Sequence, residues 1–513
     1  MQNRDQVREI LLVHPHTYFH NPSDRRGSDT LPIGFGIVNR ILREQGFIPT
    51  ILDIQGQNLE RHQVQTFLSE HRSKRFSAIL ISAMSTQYAY VKWFAQKCRE
   101  TWPDTKIVVG GCLAHFNYLN LLTKTAANIA ILSEAENTLP GLLKTDFKDL
   151  TGIPSIAYRK SEGYQDNTLD LKIEVCLNVE IVKHPIVEID LNDPAYQVLP
   201  SYEGIDLEAY TWMMDEYRTG NAMSARGCPF SCTFCSKQFE KFRLYPIDFI
   251  EKQIVSMKEQ IPNLGYVMFI DEFVLLNLKR ATEISLLMKK YKLRWSCNGR
   301  IDTFTLEMAK VIKEGGCHTV SFGVESGSDK ILAAMNKRQT AAKIRKTFEV
   351  ALEAGLVVNP QMIIGFPGEN WLTLRHTARL YKGLHTKVRQ GMRGGGFGFI
   401  TPLPGSKLYD DAVASGLIKN EEDYLESLEG GFNKIRINFT NWPNEKLVAM
   451  RDKYTTIINV ELGYWSKPPG FIKKKAMGFL NSELGYRIKS NLGKAPALKE
   501  TTKRVLQLLR IID

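Results

Sequence analysis

Arg226-Gly227-Cys228-Pro229-Phe230-Ser231-Cys232-Thr233-Phe234-Cys235 places three cysteines at C-x3-C-x2-C, with an aromatic just before the last. A cubane iron–sulfur cluster has four irons and normally takes four thiolates. Three thiolates on one loop leave one iron open to a non-protein ligand, which implies chemistry rather than electron storage. Structural zinc fits less well, because it wants four closed ligands, usually as two separated pairs, and no second pair follows. Buried structural cysteines, the remaining reading, seldom cluster this tightly.

The loop resembles the signature of the radical S-adenosylmethionine enzymes. The resemblance implies that Cys228, Cys232 and Cys235 hold a [4Fe–4S] cluster and that S-adenosylmethionine chelates the fourth iron. One electron then splits the sulfonium to give a 5′-deoxyadenosyl radical. An external one-electron donor, of flavodoxin or ferredoxin type, is implied with it.

Upstream, apolar runs at Ile10–Val13, Phe47–Ile54, Ala78–Ser82, Ile107–Val109 and Ile129–Leu132 alternate with helical stretches such as Ile33–Gln45. Five buried strands in this pattern predict a doubly wound, flavodoxin-like parallel sheet. Such sheets bind ligands beyond the carboxyl ends of their strands. Those ends read His14-Pro15-His16, Ser82-Ala83-Met84-Ser85-Thr86, Gly110-Gly111-Cys112 and Ser133-Glu134-Ala135-Glu136, small and polar enough for a large planar ligand to approach backbone. An ordinary flavodoxin-like domain with routine turns would read similarly. Beside the cysteine motif, the segment resembles the cobalamin-binding domain that precedes the radical domain in one branch of the family. It carries Leu31-Pro32-Ile33-Gly34, Val108-Val109-Gly110-Gly111, Glu134-Ala135-Glu136 and Ile153-Pro154-Ser155-Ile156-Ala157-Tyr158-Arg159 in the usual order. The resemblance implies cobalamin contacts at His14, Gly34, Ser82, Met84, Ser85, Gly110, Gly111 and Glu134. The D-x-H-x-x-G string that supplies a lower histidine ligand is absent. Asp53-Ile54-Gln55-Gly56 stands where it might occur, so cobalamin would bind without a protein imidazole.

Downstream, strands are expected at Ala222–Ala225, Val267–Ile270, Arg294–Asn298, Thr319–Gly323, Asn359–Gly365 and Gly396–Ile400. Six parallel strands with intervening helices predict a partial (β/α)6 barrel whose site lies at the carboxyl ends. The family motifs fall there. Phe234 packs beside the cluster or adenine, or is core. Asp271 or Glu272, in Phe269-Ile270-Asp271-Glu272-Phe273, would bond the methionine ammonium of S-adenosylmethionine. Arg300 would contact its carboxylate or ribose through a guanidinium fork, or make a salt bridge. Glu325 and Ser326, in Gly323-Val324-Glu325-Ser326-Gly327-Ser328, would meet the ribose hydroxyls. Gly365 and Phe366, in Gly365-Phe366-Pro367-Gly368-Glu369, would run along the adenine, and Glu369 could cap the next helix.

The expected organisation is residues 1–150 as a Rossmann-like cobalamin-binding domain, 151–215 as a linker, 216–415 as the radical barrel and 416–513 as a helical C-terminal region. Helices are expected there at Glu445–Leu462, Lys474–Ser490 and Leu498–Ile511. The net charge is +12, and from Ser466 to Asp513 there are 11 Lys/Arg against 3 Asp/Glu. This local excess disfavours a globally nucleic-acid-binding protein. It reads either as peripheral membrane contact or as solvated helices covering a core. The first apolar run is too short for a secretory signal, and no apolar stretch approaches a membrane span. Eight cysteines, three of them clustered, point to a reducing cytoplasm.

These features lead to a cobalamin-dependent radical S-adenosylmethionine methyltransferase acting on an unactivated carbon of a small molecule or natural product, with methylcobalamin as methyl donor to a substrate radical. A radical cyclase or rearranging enzyme, with or without cobalamin, is the nearest alternative. A methylthiotransferase would need three further N-terminal cysteines, where only Cys98 and Cys112 stand. From another class, a non-catalytic iron–sulfur module would bind nucleic acid with strong salt dependence. No stretch specifies the substrate.

Overall fold

The computed structural model describes residues 8–17, 31–160, 180–210, 213–214, 217–382 and 396–461. The first sheet contains β1 (Arg8–His14), β2 (Phe47–Asp53), β3 (Ala78–Ser82), β4 (Lys106–Gly110), β5 (Ile129–Ile131), β6 (Ile156–Arg159) and β7 (Ile181–Lys183), in spatial order β2-β1-β3-β4-β5-β6-β7. Strands β1 to β5 are parallel. They alternate by residue: Ile10 and Leu12 face one apolar core, and Leu11 and Val13 the other. Helices α1 (Ile33–Glu44) and α5 (Ala135–Lys144) cover the first face; α2 (Arg61–Glu70), α3 (Tyr88–Thr101) and α4 (Cys112–Lys124) cover the second. The chain reverses direction across the sheet between β1 and β3, the place where such sheets open a crevice.

The sheet differs from expectation at its edge. Strands β6 and β7 add antiparallel, so it is mixed rather than purely parallel. Both come from the stretch read as a connector. They are three or four residues long and mostly half-exposed, so they lack the apolar run that marks a buried strand.

The second sheet runs β16-β15-β14-β13-β12-β9-β8, with β8 (Met213–Met214), β9 (Tyr217–Ala222), β12 (Leu264–Phe269), β13 (Arg294–Gly299), β14 (Cys317–Glu325), β15 (Val357–Ile364) and β16 (Phe397–Phe399). All six expected strands are present and parallel, in sequential order, as a partial barrel; β8 pairs antiparallel at the edge. The first lies earlier than expected, because Ala222 ends β9. Ala225–Arg226 instead forms β10, which pairs antiparallel with β11 (Arg243–Leu244) to make a two-stranded base for the cysteine loop. Intervening helices are α6 (Ile247–Gln260), α7 (Leu278–Lys290), α8 (Leu306–Glu314), α9 (Asp329–Ala334), α10 (Ala341–Glu353) and α11 (Trp371–Leu380).

After β16, helices Lys407–Ala414 and Glu421–Ser427 return to the first domain. Tyr409, Tyr424 and Leu425 join its second core, and Lys92 pairs with Glu422 at 2.6 Å and Glu426 at 2.7 Å. Helix Asn444–Glu461 matches the first expected tail helix. The other two expected tail helices, and the basic stretch containing them, lie outside the described residues. Among the described residues, no helix is long and apolar enough to cross a membrane.

Candidate active site between the two sheets

The carboxyl ends of both sheets face one cleft of about 310 Å³. Gly34, Ser82, Gly110, Gly111 and Glu134 wall it from the first sheet; Asp271 and Glu272 wall it from the second. Between the sheet and α1 and α5 it continues as an apolar slot past Leu12, Ile37, Val108 and Leu139. Backbone makes the rim. Gly111 sits at φ +86°, where a Cβ would lie 2.5 Å from the Ala83 carbonyl oxygen, whereas a Cβ on Gly34 would meet nothing within 4 Å.

The other residues expected at this rim are turned elsewhere. His14 Nδ1 lies 2.9 Å from Asp53 Oδ1, and Tyr210 donates to Asp53 Oδ2 at 2.6 Å. Burial would raise the Asp53 pKa, but His14, Tyr210 and the Gly56 N–H together hold it below the ordinary value. Met84 points to solvent, and the buried Ser85 hydroxyl lies 3.5 Å from Asn117 Oδ1. None of the three is among the cleft's walls. Glu134 reaches the wall, but its carboxylate is already engaged. Arg226 donates to it at 2.8 Å, Arg243 at 3.0 Å and the Ile189 N–H at 2.9 Å, while Arg226 also bonds Glu136 at 2.5 Å. This buried network joins the rim of the first sheet to the strand immediately before Gly227-Cys228.

The cysteine loop is fastened by backbone. Gly227, at φ +79°, passes so close to Lys241 that a Cβ would sit 2.5 Å from its carbonyl oxygen. The Thr233 N–H donates to Met335 O at 3.0 Å, the Leu408 N–H to Thr233 O at 2.9 Å, and Asn336 Nδ2 to Ser231 O at 2.8 Å. Phe234 packs on a small cluster with Phe366, Ile331, Met335, Ile400 and Leu408. Two of the aromatics assigned to cofactor contact are thus floor beneath the loop.

Burial pushes the Cys235 thiol up to about 11, helped by Cys232 and Cys228, while Lys337 works against the shift. Burial also raises Cys228, which Arg300 opposes. The three thiols therefore repel one another as thiolates, a donor set that calls for a shared cationic ligand. Among the described residues no three His, Cys, Asp or Glu side chains converge on a single ion as they stand. A cubane instead presents separate corners to separate thiolates, so thiols spaced along one fastened loop fit it.

Asp271 and Glu272 part company. Asp271 is 3% exposed; it accepts from the Ser224 N–H at 2.7 Å and from the Ser224 hydroxyl, and its Oδ1 has no partner. Burial, with the Glu272 charge adding, pushes its pKa up to about 7 against the Ser224 bonds. Glu272 is exposed on the cleft wall, and its charge raises Cys112, Cys228 and Cys235. Cys112, at the start of α4, donates to Gln238 Oε1 at 3.2 Å across the cleft mouth.

The remaining expected residues are already partnered. Arg300 forks onto Asp302 at 2.8 and 3.0 Å, lies 3.4 Å from the Phe230 ring centroid, and points Nη1 at Cys232 Sγ at 4.0 Å. Glu325, at φ +60°, forms a buried pair with Lys337 at 2.9 Å. The argument that a carboxylate hemmed by glycines lacks a structural purpose fails here, because Gly323 makes room for that pair. The Ser326 hydroxyl accepts from the Ser328 N–H at 3.2 Å and lies 3.4 Å from Thr377 Oγ1. The Gly365 N–H donates to Glu369 at 2.6 Å, and burial raises that carboxyl to about 8. Asn370, not Glu369, caps α11. Sequence reasoning missed Lys337, Asp302 and Ser224. Lys337 stands between two left-handed residues, Asn336 and Arg338, and an Asn-Lys-Arg run after a short helix gives little local signal.

Residues 223–381 match the Radical SAM superfamily model, and residues 23–143 match the B12 binding domain model. An uncharacterized methyltransferase of Pyrococcus horikoshii is 28% identical over 431 residues, 80% of this chain and 85% of the relative. The anaerobic magnesium-protoporphyrin IX monomethyl ester cyclase of Rubrivivax gelatinosus is 21% identical over 415 residues, 78% of this chain and 69% of the relative. The structure of OxsB, a cobalamin-dependent S-adenosylmethionine radical enzyme with aqua-cobalamin and S-adenosylmethionine bound, superposes with a TM-score of 0.60. That likeness covers 99% of this chain and 76% of OxsB at 16% identity, and it is a likeness of fold. The chain thus joins a B12 binding domain, residues 23–143, to a Radical SAM superfamily domain, residues 223–381.

Proposed function

We propose that this chain is a cobalamin-dependent radical S-adenosylmethionine methyltransferase that methylates an unactivated carbon of a small molecule in a reducing cytoplasm, drawing electrons from a soluble one-electron donor. The observation that carries the reading is the shared cleft, where the glycine rim of the B12 binding domain faces Asp271, Glu272 and Arg226, the last at the foot of the cysteine loop. Cys228, Cys232 and Cys235 would hold the cluster, and Gly34, Ser82, Gly110 and Gly111 would let a corrin lie against backbone. Bound together, these groups supply a one-electron cleavage of S-adenosylmethionine and a transferable methyl group.

The protein's own part is placement. The Arg226–Glu134–Glu136 network fixes the loop's base against the first sheet. Glu272, exposed beside the cysteines, offers a carboxylate to the methionine ammonium. Asp271, on the cleft wall, has one oxygen without a partner, which would serve a donor on substrate or cofactor. The apolar slot past Leu12, Ile37, Val108 and Leu139 offers apolar surface for a corrin or substrate to bury against. A cyclase reading is favoured by the likeness to the magnesium-protoporphyrin ester cyclase. The basic stretch from Ser466 to Asp513 would also support peripheral contact with an anionic membrane surface.

Anaerobic protein reconstituted with iron, sulfide and hydroxocobalamin, and supplied with a low-potential reductant, should convert methyl-labelled S-adenosylmethionine to 5′-deoxyadenosine and S-adenosylhomocysteine and should place label in product. 5′-Deoxyadenosine without product label points to the cyclase reading. Retention of iron and of 5′-deoxyadenosine formation after Cys228, Cys232 and Cys235 are all changed to Ala would sink both.

A further inference from the structure

We propose that two cation–carboxylate pairs, the partly buried Arg300–Asp302 and the buried Lys337–Glu325, tune the reduction potential of the cluster held by the cysteine loop, each through a cation laid over a phenylalanine of that loop. The proposal rests on the cluster reading above.

The two pairs have the same construction. Arg300 follows β13 and lies over Phe230, the residue midway between Cys228 and Cys232. Lys337 follows α9 and lies over Phe234, between Cys232 and Cys235, at 5.6 Å from the ring centroid. Each cation is locked by one carboxylate, Asp302 at 2.8 Å and Glu325 at 2.9 Å. The pairs are joined to each other, because Arg300 Nη2 donates to Lys337 O at 3.0 Å. All four side chains are at most 17% exposed.

Orientation decides the effect. Arg300 Nη1 points at Cys232 Sγ at 4.0 Å. Lys337 Nζ lies over the Phe234 ring, between Cys232 and Cys235. Each pair thus turns its cation toward the loop. Buried charges are weakly screened, so such pairs act strongly at short range. Structure alone does not require this arrangement, since apolar residues of similar volume often replace buried ion pairs without loss of stability.

The step concerned is simple in its balance. One electron from a soluble reductant takes the cluster from the 2+ to the 1+ state, no bond is made or broken, and the added negative charge stays on the cluster. A cation beside the loop favours the reduced state and raises the potential, and its partner carboxylate opposes this.

The test is an anaerobic potentiometric titration followed by electron paramagnetic resonance, on full-length reconstituted protein without S-adenosylmethionine. At the wild-type midpoint, Lys337→Met should lower the reduced-to-oxidised ratio about tenfold, which is 59 mV for a one-electron couple. Glu325→Gln and Asp302→Asn should move it the other way, and Lys337→Arg should stay within about threefold of wild type. Should Lys337→Met fail to retain iron, the upward shift of Glu325→Gln carries the decision. Variants with wild-type iron content and unmoved midpoints, or shifts of one sign for cation and carboxylate alike, overturn the proposal while leaving the cluster reading intact. A wild-type protein that takes up no cluster overturns the function reading itself.

Discussion

Asp271 carries a pH signature of its own. Its folded-state pKa of about 7 lies above the ~3.9 of an unfolded aspartate. Between those values the folded protein keeps a proton that the unfolded chain has released. Stability contributed by the neutral form is therefore full below about pH 4 and is lost as pH rises toward 7. Asp271→Asn should flatten that part of the apoprotein's melting-temperature profile between pH 5 and 7. An unchanged slope there would place the proton elsewhere, for which Glu369, raised to about 8, is the other buried carboxyl to test. At this scale the sequence named adjacent carboxylates at a strand end and left the choice between them open. The choice depends on Ser224, which reaches Asp271 from a strand end 47 positions earlier, and no local pattern encodes that approach. Arg300 and Glu325 were legible as charged residues at strand ends beside glycines. Lys337, 12 positions beyond Glu325, was not, and Asp302, only two positions beyond Arg300, was passed over because an adjacent opposite charge does not by itself announce an ion pair.

Elements tell a similar story. The buried parallel strands were legible because each is a short apolar run between turn residues. Strands β6 and β7 were not, because an antiparallel edge needs no such run. The pairing of β10 with β11 also escaped notice, being two residues on each side. Yet that ribbon bears Arg226 and Arg243, which tie the two sheets together through Glu134 and Glu136. Reading Glu134 as a cobalamin contact was reasonable from its position at the rim; its carboxylate is taken by arginines that arrive from about 90 residues and more downstream. Arg226→Met should strip Glu136 of its arginine and destabilise the protein by roughly 3–5 kcal/mol, the usual consequence of leaving a buried charge unpaired. In a two-domain chain this is best read as a lowered melting temperature and faster proteolysis between residues 190 and 245. Pairing Arg226→Met with Glu136→Leu should recover part of the loss. If the single change leaves both readouts at wild-type values, the network is not what holds the sheets in register.

For the whole molecule, the order of domains and the chemistry expected of them followed from motifs, but their face-to-face packing did not, since it is made by contacts between distant segments. The cleft tests that packing. Gly34 and Gly111 both wall it, and physical chemistry assigns them different work. Gly111 is needed by the backbone: φ +86° and a Cβ 2.5 Å from Ala83 O make Gly111→Ala a folding defect, visible as a lower melting temperature before any cofactor is added. Gly34 is different. It sits in the first turn of α1 with open space where a Cβ would go, so a larger residue there strains nothing and, if anything, favours the helix. Gly34→Phe should therefore leave the apoprotein's melting temperature at or slightly above wild type while filling the cleft. Retention of hydroxocobalamin, followed by absorbance after gel filtration, should fall more than about tenfold, equivalent to ~1.4 kcal/mol of binding free energy. If Gly34→Phe keeps wild-type retention, the corrin lies somewhere other than between the two sheets, and the substrate position inferred from their shared cleft falls with it.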